Sequence, residues 1–269
     1  RAMFVIVDAK QGKELSLKEK WKYWRGFLTE ELLLGMPVTI LHCQKKDGAL
    51  VKKQVSKFTR GKRAAAVVSR DTGIPEDCGL FHHSPKRYEM ALCNDFLMQF
   101  SKILTPERRT IRIHDRMARH PELVRTMAQD YRTVGVITKF PSCYEKLREE
   151  VLEETGAAIL VSSSDSLLSE CPLQLDCEKG QQVMIAGVLV EHFFGATEEK
   201  IEEFLKENRM DMEAGDIAAA LFEDAAGRKK IRPVCHAVQM HGQVLKMEEL
   251  CGTVPGEKRG SCEEILEFA

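Results

Sequence analysis

The chain lacks the short signatures by which common chemistries announce themselves. It has no Gly-Lys-Ser/Thr phosphate loop, no Gly-x-Ser-x-Gly elbow and no His-Glu-x-x-His helix, so none of the chemistries tied to those motifs can be read from it. It has no apolar run near the roughly eighteen residues a membrane helix needs. Its first strand-like run begins at Met3, and no signal-peptide pattern is read there. It also lacks an excess of either charge, with 40 lysines and arginines against 41 acids and a net charge of −1. No global field therefore draws it to nucleic acid or to an anionic membrane. Internal repeats and low-complexity segments are absent, and only two tryptophans occur.

Cysteine is present, but not in a useful pattern. Nine residues, at 43, 78, 93, 143, 171, 177, 235, 251 and 262, are an odd and scattered set without any Cys-x-x-Cys. In a chain of 269 residues this favours reduced, mostly buried thiols and a cytoplasmic location over a disulfide framework or a zinc site. Cys235, His236 and His241 form the one Cys/His cluster, but residues 236 and 241 fall on opposite faces of a strand, which argues against a shared metal. No metal site is expected.

What is present is core-forming material: 43% of residues are apolar, enough for one large domain or two lobes. The hydrophobic pattern alternates strand-like runs with helix-like ones. The expected fold class is α/β, a mainly parallel, Rossmann-like layered sheet with flanking helices and one or two antiparallel hairpins. Residues 1–106 are expected to form an N-terminal α/β lobe with a basic hairpin, 107–251 a Rossmann-like lobe, and 252–269 an irregular tail.

In the first lobe, strands are expected at 3–8, 38–43 and 64–69. Leu17, Trp21, Trp24, Leu28 and Leu32 recur at helical spacing, predicting a helix from Leu15 to Leu34 with the two tryptophans packed in the core. Eight basic residues and one acid lie between Lys45 and Arg63. They read either as a solvated edge hairpin, with 49–55 as one arm, or as a nucleic-acid surface. A long loop, 70–84, carries His82-His83 and has the length of a functional loop. Ser84-Pro85 then opens a helix whose buried face is Tyr88, Leu92, Phe96 and Phe100.

From Arg109 to Cys177 the order is strand, helix, strand, helix, strand, then a further strand near 173–177. This stretch resembles a Rossmann-type mononucleotide half at the level of fold, with Thr138-Lys139 where a ribose-selecting residue would lie. Its first turn, His114 to His120, contains no glycine, whereas a dinucleotide site needs glycines for close approach to the pyrophosphate. Ser142 to Glu145 reads as a capping box. Beyond it a sheet segment at 183–194, helices over 197–208 and 212–226, and a hairpin turning at His241-Gly242 complete the chain.

In open parallel sheets ligands bind beyond the carboxyl ends of the strands. Those ends carry Asp8, His42, Ser69, His114, Asp115, Thr138 and Ser162-Ser163-Ser164. Polar residues there also suit a chain leaving a core, so both readings stand. His114 and Asp115 are the acid–base candidates. Ser162, Ser163, Ser164, Thr138, Asp8 and Ser69 are the candidates for holding a ligand or cofactor, Ser164 being equally suited to capping a short helix at 165–169. The expected function is binding of a small anionic or nucleotide-like ligand, whose identity, like that of any cofactor, is not written in the sequence. The alternatives are a non-enzymatic module acting as a homodimer, and a nucleic-acid-associated protein using 45–63. No membrane partner is expected.

Overall fold

The computed structural model of the protein describes residues 3–11, 13, 15–44, 53, 54, 57, 58, 64–68, 86–223 and 231–250. Ser69, the 70–84 loop, the Ser84-Pro85 cap, most of the basic stretch and the 252–269 tail lie outside the described residues. Of the expected 49–55 arm only Lys53 and Gln54 are described, and they are helical rather than extended.

The first half of the chain forms β1 (Met3–Lys10), α1 (Leu17–Arg25), β2 (Phe27–Leu33), β3 (Met36–Gln44), β4 (Ala64–Val68), α2 (Lys86–Ile103), β5 (Thr110–His114), α3 (Pro121–Asp130) and β6 (Thr133–Ile137). The second half forms α4 (Glu145–Thr155), β7 (Ala158–Ser162), β8 (Leu173–Asp176), β9 (Gln182–Ile185), β10 (Val188–Gly195), α5 (Glu198–Glu207), α6 (Ala214–Glu223), β11 (Cys235–Met240), β12 (Gln243–Lys246) and α7 (Met247–Leu250). Two compact units result, one of residues 1–89 with 197–233 and the other of 90–196 with 234–269. The protein is a mixed α/β fold with two sheets. No helix among the described residues is long and apolar enough to cross a membrane.

The first unit holds a four-stranded sheet in the order β2-β3-β1-β4. β1 runs parallel to β3 and β4, and β2 pairs antiparallel with β3. Here the expected helix from Leu15 to Leu34 is half as long. Gly26, at φ +69°, closes α1 and donates its N–H to the Tyr23 carbonyl at 3.2 Å. The chain then turns into β2, and Leu34 and Gly35, with φ of 52° and 70°, make the hairpin to β3. Two successive left-handed residues are what a tight hairpin requires. The helical spacing misled because Leu28 and Leu32, four apart, also share one face of a strand.

The buried role of the stripe is corrected as well. Leu17, Trp21 and Trp24 are 87%, 60% and 55% exposed, and Tyr23 is the helix residue that faces the core. Periodicity identifies a face; it does not say which way that face points. Ser16 anchors the helix through a capping box, its hydroxyl accepting from Glu19 N–H and its own N–H donating to Glu19 Oε2.

The second unit holds an eight-stranded sheet in the order β12-β11-β10-β9-β8-β5-β6-β7. Its β8-β5-β6-β7 block is parallel, and the rest is an antiparallel run of hairpins. Across both sheets five of the ten described pairings are antiparallel, a larger share than one or two hairpins. α3 lies against β6 and α4 against β7. Ile111, Ile113, Val134, Val136 and Ile159 are buried together with Val124, Met127, Leu147 and Val151 of those helices. The α2 face of Tyr88, Leu92, Phe96 and Phe100 is buried as its spacing predicts. The 142–145 capping box does not form: residues 141–144 make a 3₁₀ turn, and no side chain caps α4.

Candidate functional site

The order β8-β5-β6-β7 means the chain steps outward from β5 to β7 and then returns to the other side of β5 for β8. The strand order therefore reverses between β5 and β8, the place where open α/β sheets leave a crevice. His114 and Asp176 are register partners at that point.

β5 alternates Thr110-Ile111-Arg112-Ile113-His114, with Ile111 and Ile113 buried on the helix side and the polar residues on the other face. The segment from β7 to β8 crosses that second face. The Arg112 Nη1 donates to the Asp165 carbonyl at 3.2 Å, and Nη2 donates to Gln174 Oε1. The third guanidinium nitrogen, Nε, and His114 Nε2 are buried and have no hydrogen-bond partner among the described residues. Burial holds the His114 imidazole below its ordinary pKa of 6.5, the Arg112 charge adds to the effect, and Asp176 and Asp165 oppose it.

Asp115 is fully buried and already committed. Its Oδ1 accepts from Arg119 N–H at 2.9 Å, and its Oδ2 accepts from His120 N–H at 2.7 Å and Tyr144 O–H at 2.6 Å. These bonds hold the glycine-free turn after β5, in which Ala118, at φ +50°, takes the left-handed position. Burial and the Asp115 carboxylate together raise the Tyr144 phenol well above its ordinary value. The carboxylate thus organises the turn, and its oxygens have little capacity left for a substrate.

Thr138 is buried beside it. Its N–H donates to the Ser162 carbonyl at 2.9 Å and its Oγ1 accepts from Phe140 N–H at 3.2 Å, which ties the ends of β6 and β7 together. Ser162 Oγ accepts from Ser164 N–H at 3.0 Å, and Ser164 Oγ accepts from Ser166 N–H at 3.2 Å. Ser163 and Ser164 are exposed, and residues 163–170 form turns with no helix. The helix start that was to hold a phosphate at Ser162–Ser164 is therefore missing, because the hydroxyls close local turns instead.

His114, Asp115, Thr138 and Ser162 thus lie on adjacent strand ends of the second unit. Asp8 belongs to the first unit and has its own surroundings. Its Oδ2 is 2.8 Å from His42 Nδ1, 3.4 Å from Tyr23 Oη and 3.9 Å from Lys10 Nζ. His42 Nε2 in turn lies 2.9 Å from Thr29 Oγ1.

The residues that sequence reasoning missed are Arg112, Gln174, Asp176 and Thr29. For Arg112 a signal existed in the polar–apolar alternation of β5, which marks a strand with one polar face. A groove of about 720 Å³ opens at the amino ends of β5 and β8, where Thr110, Gln174, Pro172 and Gly187 line it.

Three of the buried thiols are unsuited to nucleophilic work. Cys43, Cys93 and Cys177 are buried, and burial pushes each up to about 12, leaving almost no thiolate at neutral pH. Among the described residues no three His, Cys, Asp or Glu side chains converge as a metal-ligand set. Comparison with known protein families, with curated proteins and with solved structures finds no match.

Proposed function

We propose that the second unit binds a small anionic or nucleotide-like ligand at the carboxyl ends of β5 and β8, with the β8-β5-β6-β7 block and its two helices acting as a Rossmann-like layer. The observation that carries this reading is the pair of buried nitrogens, Arg112 Nε and His114 Nε2, on one face of β5, which have no partner among the described residues. A buried donor left unsatisfied costs about 1–3 kcal/mol. An anion seated between the two would offset that cost, as the carboxylate or phosphate partner of such donors does elsewhere. The free, mostly buried cysteines among the described residues fit a cytoplasmic setting.

The pH dependence follows from the imidazole. Its folded pKa lies below 6.5, so its contribution to stability is complete above the ordinary value and is lost as pH falls through the folded one. An anion beside it favours the protonated form and opposes that loss. Thermal shifts with inorganic phosphate and with a nucleoside diphosphate should therefore be larger at pH 6 than at pH 8. Arg112→Gln and His114→Gln should each weaken binding about 10- to 100-fold, the range of one charge-assisted hydrogen bond of about 1.5–3 kcal/mol. An unchanged shift in both variants, or protection from exchange confined to the amino-end groove, would overturn the proposal.

The exposed face of α1 favours a second reading, self-association. Leu17, Trp21 and Trp24 are flanked on the same helix by Lys18, Lys20, Lys22 and Arg25, and the edge strand β2 exposes Leu28 and Leu32 with Glu30 and Glu31. A second copy can match these by sign, cations of one helix against acids of the other strand. Light scattering should show a dimer that Trp21→Ser with Trp24→Ser converts to monomer. A monomer at all concentrations would remove this reading.

A further inference from the structure

Asp8, His42 and Thr29 form a hydrogen-bonded chain in the first unit, separate from the anion-binding reading above. A carboxylate can only accept, so the bond of 2.8 Å from His42 Nδ1 to Asp8 Oδ2 places the imidazole proton on Nδ1. In the neutral imidazole His42 Nε2 is then a lone-pair acceptor, and its contact of 2.9 Å with Thr29 Oγ1 makes the threonine hydroxyl the donor. The order is carboxylate, imidazole, hydroxyl, the arrangement by which an alcohol is activated as a nucleophile.

The surroundings fix each member. Asp8 and His42 are register partners on parallel β1 and β3 near their carboxyl ends. Phe27 stacks on the imidazole with ring centroids 4.5 Å apart at 17°, so the ring cannot swing away without losing that contact. Tyr23 Oη and Lys10 Nζ supply a further hydrogen bond and a positive charge to Asp8. Asp8 and His42 are buried, whereas Thr29 is half-buried on β2, which is the edge strand of its sheet. Of the three residues, Thr29 is therefore the one that reaches the protein surface.

We propose that Thr29 is a nucleophile for acyl transfer from an activated ester, with His42 as its general base and Asp8 as the positioning residue. Thr29 Oγ1 attacks the carbonyl carbon and its proton passes to His42 Nε2. The adduct collapses, the carbon–oxygen bond to the leaving alcohol breaks, and that oxygen takes the proton from Nε2. Water then attacks the acyl-threonine ester, gives a proton to Nε2, and that proton returns to Thr29 Oγ1 as the acid departs. The sum is ester plus water giving acid plus alcohol.

The full chain incubated with p-nitrophenyl acetate tests this, with nitrophenolate release followed by absorbance and the adduct located by peptide mass mapping. The expected result is an acetyl group on the peptide containing Thr29 and hydrolysis faster than with the heat-unfolded chain. Thr29→Ser should keep the adduct, and Thr29→Val, which preserves shape, should lose it. His42→Gln should slow acylation about 10²-fold or more, the scale of general-base catalysis, while circular dichroism confirms that each variant is folded. Acetylation confined to lysines, equal labelling of Thr29→Val, no acyl-threonine at position 29 of the folded parent, or no acyl-serine there in Thr29→Ser would each overturn the assignment.

Discussion

Asp115→Ala is expected to destabilise the protein by about 2–3 kcal/mol, since one buried hydroxyl and two part-buried backbone amides would lose an acceptor, at roughly 1–3 kcal/mol for a fully buried donor and less for the other two. The donors are Arg119 N–H, His120 N–H and Tyr144 O–H. Two of them belong to the turn that leads into α3, and the third comes from the turn that precedes α4. The substitution should therefore loosen both crossover helices rather than one residue's neighbourhood. Urea unfolding followed by far-ultraviolet circular dichroism measures the loss. Tyr144→Phe, which removes a single donor and leaves the two amide bonds in place, should cost only about 1 kcal/mol by the same reasoning. If Asp115→Ala cost no more than Tyr144→Phe, the carboxylate would not be the anchor of the turn.

Gly135→Val should have the next largest effect. Gly135 sits in the middle of β6 opposite Arg112, and a Cβ placed there would lie 2.5 Å from Leu168 Cδ1 and 3.2 Å from its Cγ. Leu168 stands at φ +50° in the segment that crosses the sheet face, and rotation about its χ2 would move Cδ1 but leave the close Cγ in place. Overpacking of this kind costs about 1–3 kcal/mol, and a branched residue adds two more methyl groups to the clash. The crossing segment should lift, which would break the bond from Arg112 to the Asp165 carbonyl. Hydrogen exchange checks this directly: amides of residues 164–171 should lose protection before those of β5. Unchanged protection across that segment would show that the turn is not seated on the glycine.

The parts of the fold that could be read in the sequence are those where burial and period agree. Tyr88, Leu92, Phe96 and Phe100 repeat at helical spacing and all face inward. The β5-to-β8 succession was readable because apolar runs of strand length alternate with helix-length segments. α1 and β2 were not, since residues four apart satisfy both periods and the break rests on one glycine conformation. The candidate site was half legible. Strand ends can be located from pattern alone, but the roles of their side chains depend on partners far away in sequence. Asp115 is readable as a carboxylate at a strand end, but the fold is needed to show that its oxygens are occupied, by the Arg119 and His120 amides of the following turn and by Tyr144, 29 residues on. The pairing of His42 with Thr29 likewise needs the β2–β3 hairpin, which the long-helix expectation had erased.

Both tryptophans of the chain lie on the exposed side of α1, and this makes the protein's intrinsic fluorescence a local signal. Emission should already be red-shifted in the folded protein and open to aqueous quenchers such as iodide. Denaturation followed by tryptophan emission would then report the surroundings of one helix, because the eight-stranded sheet holds no tryptophan and has no such emission of its own. The same locality is useful in reverse: any blue shift or loss of quenching would report an event at one nine-residue helix, with no label introduced.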